Sequence, residues 1–212
     1  MSLKIAVLAV QGAFIEHERI LKELGAECFE LRKSSDLERA YDGLVLPGGE
    51  STVQSKLLKE LGMFDEIKGW IENGMPTLAT CAGLILLAEH ISGADESHFA
   101  TLPVTVQRNA YGRQLGSFSA NGILRGVNNQ DKEFPLEFIR APFIESVNDA
   151  GVESLVSISR FPDRMTFKDG SKTTGEQNIV GVKYKNQLGL AFHPELTNDY
   201  RIHEMFLSMM KH

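Results

Sequence analysis

Ala79-Thr80-Cys81-Ala82-Gly83 stands where a short apolar run, Thr77 to Thr80, passes directly into a helical pattern. A nucleophile on a sharp strand-to-helix turn projects from the end of a sheet, and small residues two positions to either side let the chain make that turn. Ala79 and Gly83 are those small flanks. A thiol at this place would also face the first N–H groups of the helix, which favour thiolate and can hold an oxyanion. The segment also fits an inert reading, in which Cys81 is a small hydrophobe buried in an apolar run.

A cysteine nucleophile needs a base, and the base needs a partner that orients it. His193-Pro194-Glu195 follows the apolar stretch Leu188 to Phe192. Proline pushes the residue before it toward extended backbone, and side chains at i and i+2 of an extended segment lie on one side. Glu195 could then hold the tautomer of His193 while the other ring nitrogen faces Cys81; a lone histidine at a strand end can equally make a structural hydrogen bond. Pro47-Gly48-Gly49-Glu50-Ser51 lacks the lysine and the glycine spacing of a phosphate loop. It presents backbone N–H groups beside a carboxylate, suited to a zwitterion or an oxyanion, or it is an ordinary glycine-rich turn. His17, His90, His98, His203 and His212 are scattered without H-E-x-x-H or C-x-x-C spacing, so no metal site is expected.

The elements that must position these groups alternate. Lys4 to Val10 reads as a strand, then Ile20, Leu21 and Leu24 share a helical face that ends at Gly25. Glu27 to Leu31, Gly43 to Leu46 and Thr77 to Thr80 read as further strands, with helices from Ser51 to about Asn73 and from Cys81 to about His90. Strand–helix alternation predicts an α/β fold with a parallel sheet. After His90 the rhythm changes to short alternating stretches, Leu102 to Gln107, Gly116 to Ala120 and Phe138 to Phe143, which predict antiparallel hairpins. Arg160 to Gln177 is polar and turn-rich and reads as an exposed loop or hairpin. Ile202, Met205, Phe206, Met209 and Met210 form the apolar stripe of a last helix.

Composition removes whole classes of function. With 22 Lys+Arg against 28 Asp+Glu the net charge is -6, and no basic block is present; nucleic acid is therefore not an expected partner. The most apolar stretch, Leu78 to Ala88, is far short of the roughly 20 residues that span a bilayer, so no membrane is expected either. No secretory signal is legible in the first residues, and two cysteines in a chain of 212 residues suggest reduced thiols in a cytoplasm. The length predicts a single domain over residues 1–212.

Taken together, Pro47-Gly48-Gly49-Glu50-Ser51, Thr80-Cys81-Ala82-Gly83 and His193-Pro194-Glu195 resemble the three signatures of class I (triad) glutamine amidotransferases. Leu8-Ala9-Val10-Gln11-Gly12-Ala13, Arg108-Asn109-Ala110-Tyr111-Gly112-Arg113-Gln114 and Phe138-Ile139-Arg140-Ala141-Pro142 narrow the resemblance to the glutaminase subunits of pyridoxal 5'-phosphate synthase, the PdxT family. The resemblance implies a three-layer, flavodoxin-like α/β fold with a mostly parallel central sheet and antiparallel hairpins in the C-terminal half. It implies hydrolysis of L-glutamine to L-glutamate and ammonia with Cys81 as nucleophile, His193 as base and then acid, and Glu195 as its orienter. The oxyanion hole would be backbone N–H groups near Gly49 and Ala82, and the glutamine-binding residues Gly49, Glu50, Ser51, Arg108, Ile139 and Arg140. No cofactor is implied.

The resemblance also implies a partner, a PdxS synthase subunit that consumes the ammonia to build pyridoxal 5'-phosphate and raises the activity; Gln11 would lie in the loop that responds to it. The length agrees, because the signatures occupy nearly the whole chain and leave no room for an ammonia-consuming domain. Two features depart from the family pattern: Ala79 stands where glycine is usual, and Arg160 to Gln177 is longer than the corresponding region. A glutaminase subunit of another biosynthetic amidotransferase and a γ-glutamyl hydrolase-like enzyme are the alternatives on the same architecture.

Overall fold

The computed structural model describes residues 2–108, 117–127, 130–158 and 179–210. Strand β1 (Lys4–Leu8) is followed by α1 (Phe14–Glu23), β2 (Glu27–Leu31), β3 (Gly43–Leu46), α2 (Ser51–Glu60), α3 (Phe64–Glu72), β4 (Thr77–Thr80) and α4 (Ala82–Leu87). Then come β5 (Ala88–Ile91), β6 (Leu102–Gln107), β7 (Ser117–Val127), β8 (Gln130–Ile139), β9 (Phe143–Val147), β10 (Glu153–Ile158), β11 (Ile179–Tyr184), β12 (Gln187–Leu190) and α5 (Arg201–Ser208).

A nine-stranded sheet runs in the order β2-β1-β3-β4-β12-β11-β10-β7-β8, and β5-β6-β9 form a smaller one. From β2 to β12 every neighbour is parallel, and from β12 to β8 every neighbour is antiparallel. This is the expected division of the chain into a parallel half and a hairpin half, with helices on both faces. Strands β3, β4 and β12 are buried at every position, as strands covered on both faces must be. Their apolar runs therefore read as continuous and not as alternating.

Two expected helices are cut short for physical reasons. The stretch from Ser51 to Asn73 is two helices, because Gly62 takes a left-handed φ of 66°. The N–H of Gly62 bonds to the Lys59 carbonyl and that of Met63 to the Leu58 carbonyl, the pattern that closes a helix. The helix after Cys81 stops at Leu87, and Ala88 to Ile91 leaves it to pair with β6. Leu84 to Ala88 is apolar on every side, so periodicity does not tell helix from strand there. Phe138 to Phe143 is likewise broken, at Arg140, whose φ is 43°. The polar stretch Arg160 to Gln177 and the segment Asn109 to Gln114 lie outside the described residues.

Helix α4 packs directly on β3 at Gly83, where an added Cβ would overlap the carbonyl oxygen of Leu46. That contact sets the height of Cys81 above the sheet. Gly83→Ala should therefore lift the helix and lower stability by about 2 kcal/mol, a fall of roughly 4–8 °C in Tm. A thermal melt of the variant indistinguishable from the parent would contradict this packing.

Candidate active site

Register places the nucleophile candidate beside the base candidate. In the parallel pair β4·β12, Thr80 stands opposite Leu190, and the N–H of Cys81 donates to the Leu190 carbonyl at 2.8 Å. The two strands thus end at the same level, with Cys81 leaving one and Ala191-Phe192-His193 leaving the other. Cys81 has φ 49° and ψ -99°, a conformation that residues with a Cβ seldom adopt. The strain is held by the sheet bond below and by the tight Gly83 contact above. The side chain is 6% exposed and opens into a cavity of about 780 Å³.

Phe192 anchors the other strand end. It is fully buried, with its ring 5.9 Å from that of Phe134 and 6.1 Å from that of Phe138. The next N–H, that of His193, donates to the Glu137 carbonyl of β8 at 2.8 Å. From Pro194 the chain makes a single tight helical turn to Leu196, so the pair is not on extended backbone as the sequence predicts. The turn still brings Glu195 back beneath the imidazole, with His193 Nδ1 and Glu195 Oε1 2.7 Å apart. Glu195 has no exposure to solvent.

Burial alone would pull His193 down, but the Cys81 and Glu195 side chains beside it raise its pKa to about 10. Burial would raise Glu195, yet His17 and His193 hold it below its ordinary 4.5. At neutral pH the pair is therefore imidazolium and carboxylate. Its contribution to stability from Glu195 is present above 4.5 and is lost as pH falls through the depressed value. The contribution from His193 is complete below 6.5 and is lost as pH rises through about 10.

The expected ligand-binding residues converge on the same cavity. Gly49, Glu50, Ser51, Arg108, Ile139 and Arg140 all line it with Cys81 and His193, while Glu195 lies behind His193. Glu50 and Arg140 are exposed and face each other across 3.8 Å, an anion and a cation at the mouth of one cavity. Gly48 lies against the imidazole so closely that a Cβ there would overlap His193 Cε1. Ala82 begins α4, and its N–H belongs to the first turn that no intrahelical acceptor uses. Gln11 closes the other side: its Oε1 accepts from the Glu50 N–H at 2.8 Å, and its carbonyl accepts from Gln54 Nε2 at 2.9 Å.

Two residues absent from the expected site lie under it. His17 is fully buried on α1 with Nε2 3.4 Å from Glu195 Oε2, and its Nδ1 is 3.0 Å from Nε2 of the equally buried His203 on α5. A signal for them existed. His17 shares the i, i+3, i+4, i+7 face of Ile20, Leu21 and Leu24, and His203 that of Phe206 and Leu207, so both were legible as core histidines that must find partners. Among the described residues no group of three His, Cys, Asp or Glu is placed to hold a metal ion. None of the described helices is long and apolar enough to cross a membrane.

Comparison with known proteins identifies the family and the fold. The family model of the SNO glutamine amidotransferases matches residues 7–212. A pyridoxal 5'-phosphate synthase subunit PdxT from Desulfitobacterium hafniense (strain Y51) is 53% identical over 205 residues, covering 97% of this chain and 92% of the other. The subunit of the same name from Haemophilus influenzae (strain PittEE) is 44% identical over 212 residues, covering 99% of each. A crystal structure of a glutamine amidotransferase superposes with a TM-score of 0.80 at 37% identity, covering 97% of this chain and 98% of that one. The chain belongs to the SNO family of glutamine amidotransferases, as a class I member of the PdxT type.

Proposed function

We propose that residues 1–212 form one glutaminase domain that hydrolyses L-glutamine and passes the ammonia to a separate PdxS synthase subunit for pyridoxal 5'-phosphate formation. The observation that carries this reading is the buried Cys81, His193 and Glu195 line opening into a cavity with a carboxylate and a guanidinium at its mouth. Free glutamine has both an ammonium and a carboxylate on Cα. Glu50 receives the first, and Arg108 and Arg140 receive the second, with Gly49, Ser51 and Ile139 shaping the remaining wall. Substrate binding then replaces the Glu50–Arg140 pair with two pairs of the same kind.

Cys81 Sγ attacks the side-chain carboxamide carbon while His193, already imidazolium, holds on Nε2 the proton that the sulfur has given up. The developing oxyanion is held by backbone N–H groups near Gly49 and Ala82. His193 gives the proton to the departing nitrogen, ammonia leaves, and a glutamyl thioester remains on Cys81. Water, deprotonated by the now neutral His193, attacks the thioester and releases glutamate, which returns the Cys81 sulfur beside a protonated His193. These steps call only on side chains, backbone N–H groups and water. Glu195 keeps Nδ1 protonated and balances the imidazolium, so that Nε2 is the nitrogen that exchanges protons.

Ammonia released into neutral water is captured as ammonium, which is not a nucleophile, so a synthase must take it up directly. The relatives with which the chain shares 53% and 44% identity are subunits of such a synthase, which supports PdxS as the acceptor. Gln11, whose side chain holds the Glu50 N–H, is the member of the site that a docked partner would move first. Two free cysteines are usual in a reducing compartment, which agrees with a cytoplasmic location.

With the synthase present, Cys81→Ala should lower glutamate release by ~10³-fold or more; equal rates for variant and parent would overturn the assigned nucleophile. Glu195→Gln keeps the shape but removes the anion. The His193 titration, followed by NMR of its ring protons, should move down from about 10, with burial then unopposed by the carboxylate. The same variant should lose ~10⁴-fold in kcat, the scale of a removed orienting carboxylate. An unmoved titration would contradict the pairing.

A further inference from the structure

The proposed mechanism uses one oxygen of Glu195. Oε1 is taken by His193, whereas Oε2 is buried without a hydrogen bond of full strength. A carboxylate oxygen removed from water needs a donor, or the group turns to find one, and turning would carry Oε1 away from His193. The group that approaches Oε2 is His17 Nε2, at 3.4 Å. The same nitrogen is 3.2 Å from Thr80 Oγ1, on the residue just before the proposed nucleophile. His17 therefore touches both the orienting carboxylate and the strand end that carries Cys81.

Proton placement on this histidine is decided by its neighbours. If Nδ1 held the proton, a lone pair would face the carboxylate oxygen and repel it. With the proton on Nε2, His17 donates toward Glu195 and its Nδ1 is an acceptor, which suits His203 Nε2–H at 3.0 Å. This leaves only the lone pair of His203 Nδ1 without a partner, a smaller cost than a buried bare N–H or a second buried cation. Burial favours the neutral form of both rings, His203 the more strongly.

We propose that His17 is a positioning residue for Glu195: its Nε2–H holds the second carboxylate oxygen so that the first stays aimed at His193, and His203 fixes the tautomer that makes this possible. The inference rests on the reading of Cys81, His193 and Glu195 as the reacting triad. It adds a second line of hydrogen bonds, from α5 through α1, that ends on the triad from the side opposite the substrate.

Glutamate release should be measured with the synthase present for wild type, Cys81→Ala, Glu195→Gln, His17→Phe and His17→Gln, with a thermal melt of each. An active wild type and a silent Cys81→Ala establish the nucleophile, and an inactive Glu195→Gln beside them establishes the carboxylate, so failure of the triad reading is visible separately. His17→Phe keeps a planar ring but no donor. It should lower kcat by about tenfold or more, the scale of one lost outer hydrogen-bonding partner, with KM within about twofold. His17→Gln returns an amide N–H near the position of Nε2 and should recover most of the loss, which a purely structural role would not predict.

A His17→Phe protein with the kcat of wild type overturns the inference, as does a folded His17→Gln no better than the phenylalanine variant. Nitrogen NMR of the wild-type histidines needs no variant and decides the matter if either substitution fails to fold. His17 should carry its proton on Nε2 with Nδ1 bare, and a bare Nε2 overturns the proposal.

Discussion

The site depends on the parallel pairing of β4 with β12. These strands are distant in sequence, yet the bond from the Cys81 N–H to the Leu190 carbonyl makes them end together. A shift of one residue in that register would turn Phe192 out of its aromatic pocket and carry His193 to the other face of the sheet. The pairing is protected by burial at every position of both strands, by the rings of Phe134 and Phe138 around Phe192, and by the His193 N–H bond to β8. Strain at Cys81 can persist because these contacts over-determine its place. The loop before α2 then closes the cavity, approaching the imidazole where Gly48 leaves no room for a side chain.

A gradient of polarity runs through this arrangement. At the cavity mouth Glu50 and Arg140 are exposed and their mutual attraction is screened, so they can give each other up to a zwitterion with little loss. At the centre, burial pulls the His193 pKa down, but the adjoining Cys81 and Glu195 side chains outweigh it and raise the value to about 10. Beneath them the two further histidines are so deeply buried that they remain neutral. Charge is thus concentrated in the proposed triad and excluded from the layer beneath it.

Much of this was legible in the sequence. The strand–turn–helix at Cys81 could be read because small flanking residues and an apolar run are local signals, and the β-strands of the parallel half were readable as buried runs. The ends of helices were harder. The break at Gly62 depended on a single left-handed glycine, and the end of α4 fell inside an apolar segment with no periodicity to read. His193 and Glu195 were paired correctly in kind, but the expected extended geometry is a tight turn, because Pro194 starts a helical turn as readily as it ends a strand. His17 and His203 could be read as core histidines from their helix faces, but not as partners of each other or of Glu195. Only the fold brings positions 17, 195 and 203 together, and that convergence has no local signature.

In the proposed reaction Cys81 carries the glutamyl group between acylation and hydrolysis. Mass spectrometry of the complex with the synthase, quenched in acid during turnover of glutamine and digested, tests it most directly. The peptide containing Cys81 should gain the mass of one glutamyl group, and the adduct should disappear when the thioester is cleaved by hydroxylamine. Turnover with the Cys81 peptide unmodified and a glutamyl group on another residue would contradict it.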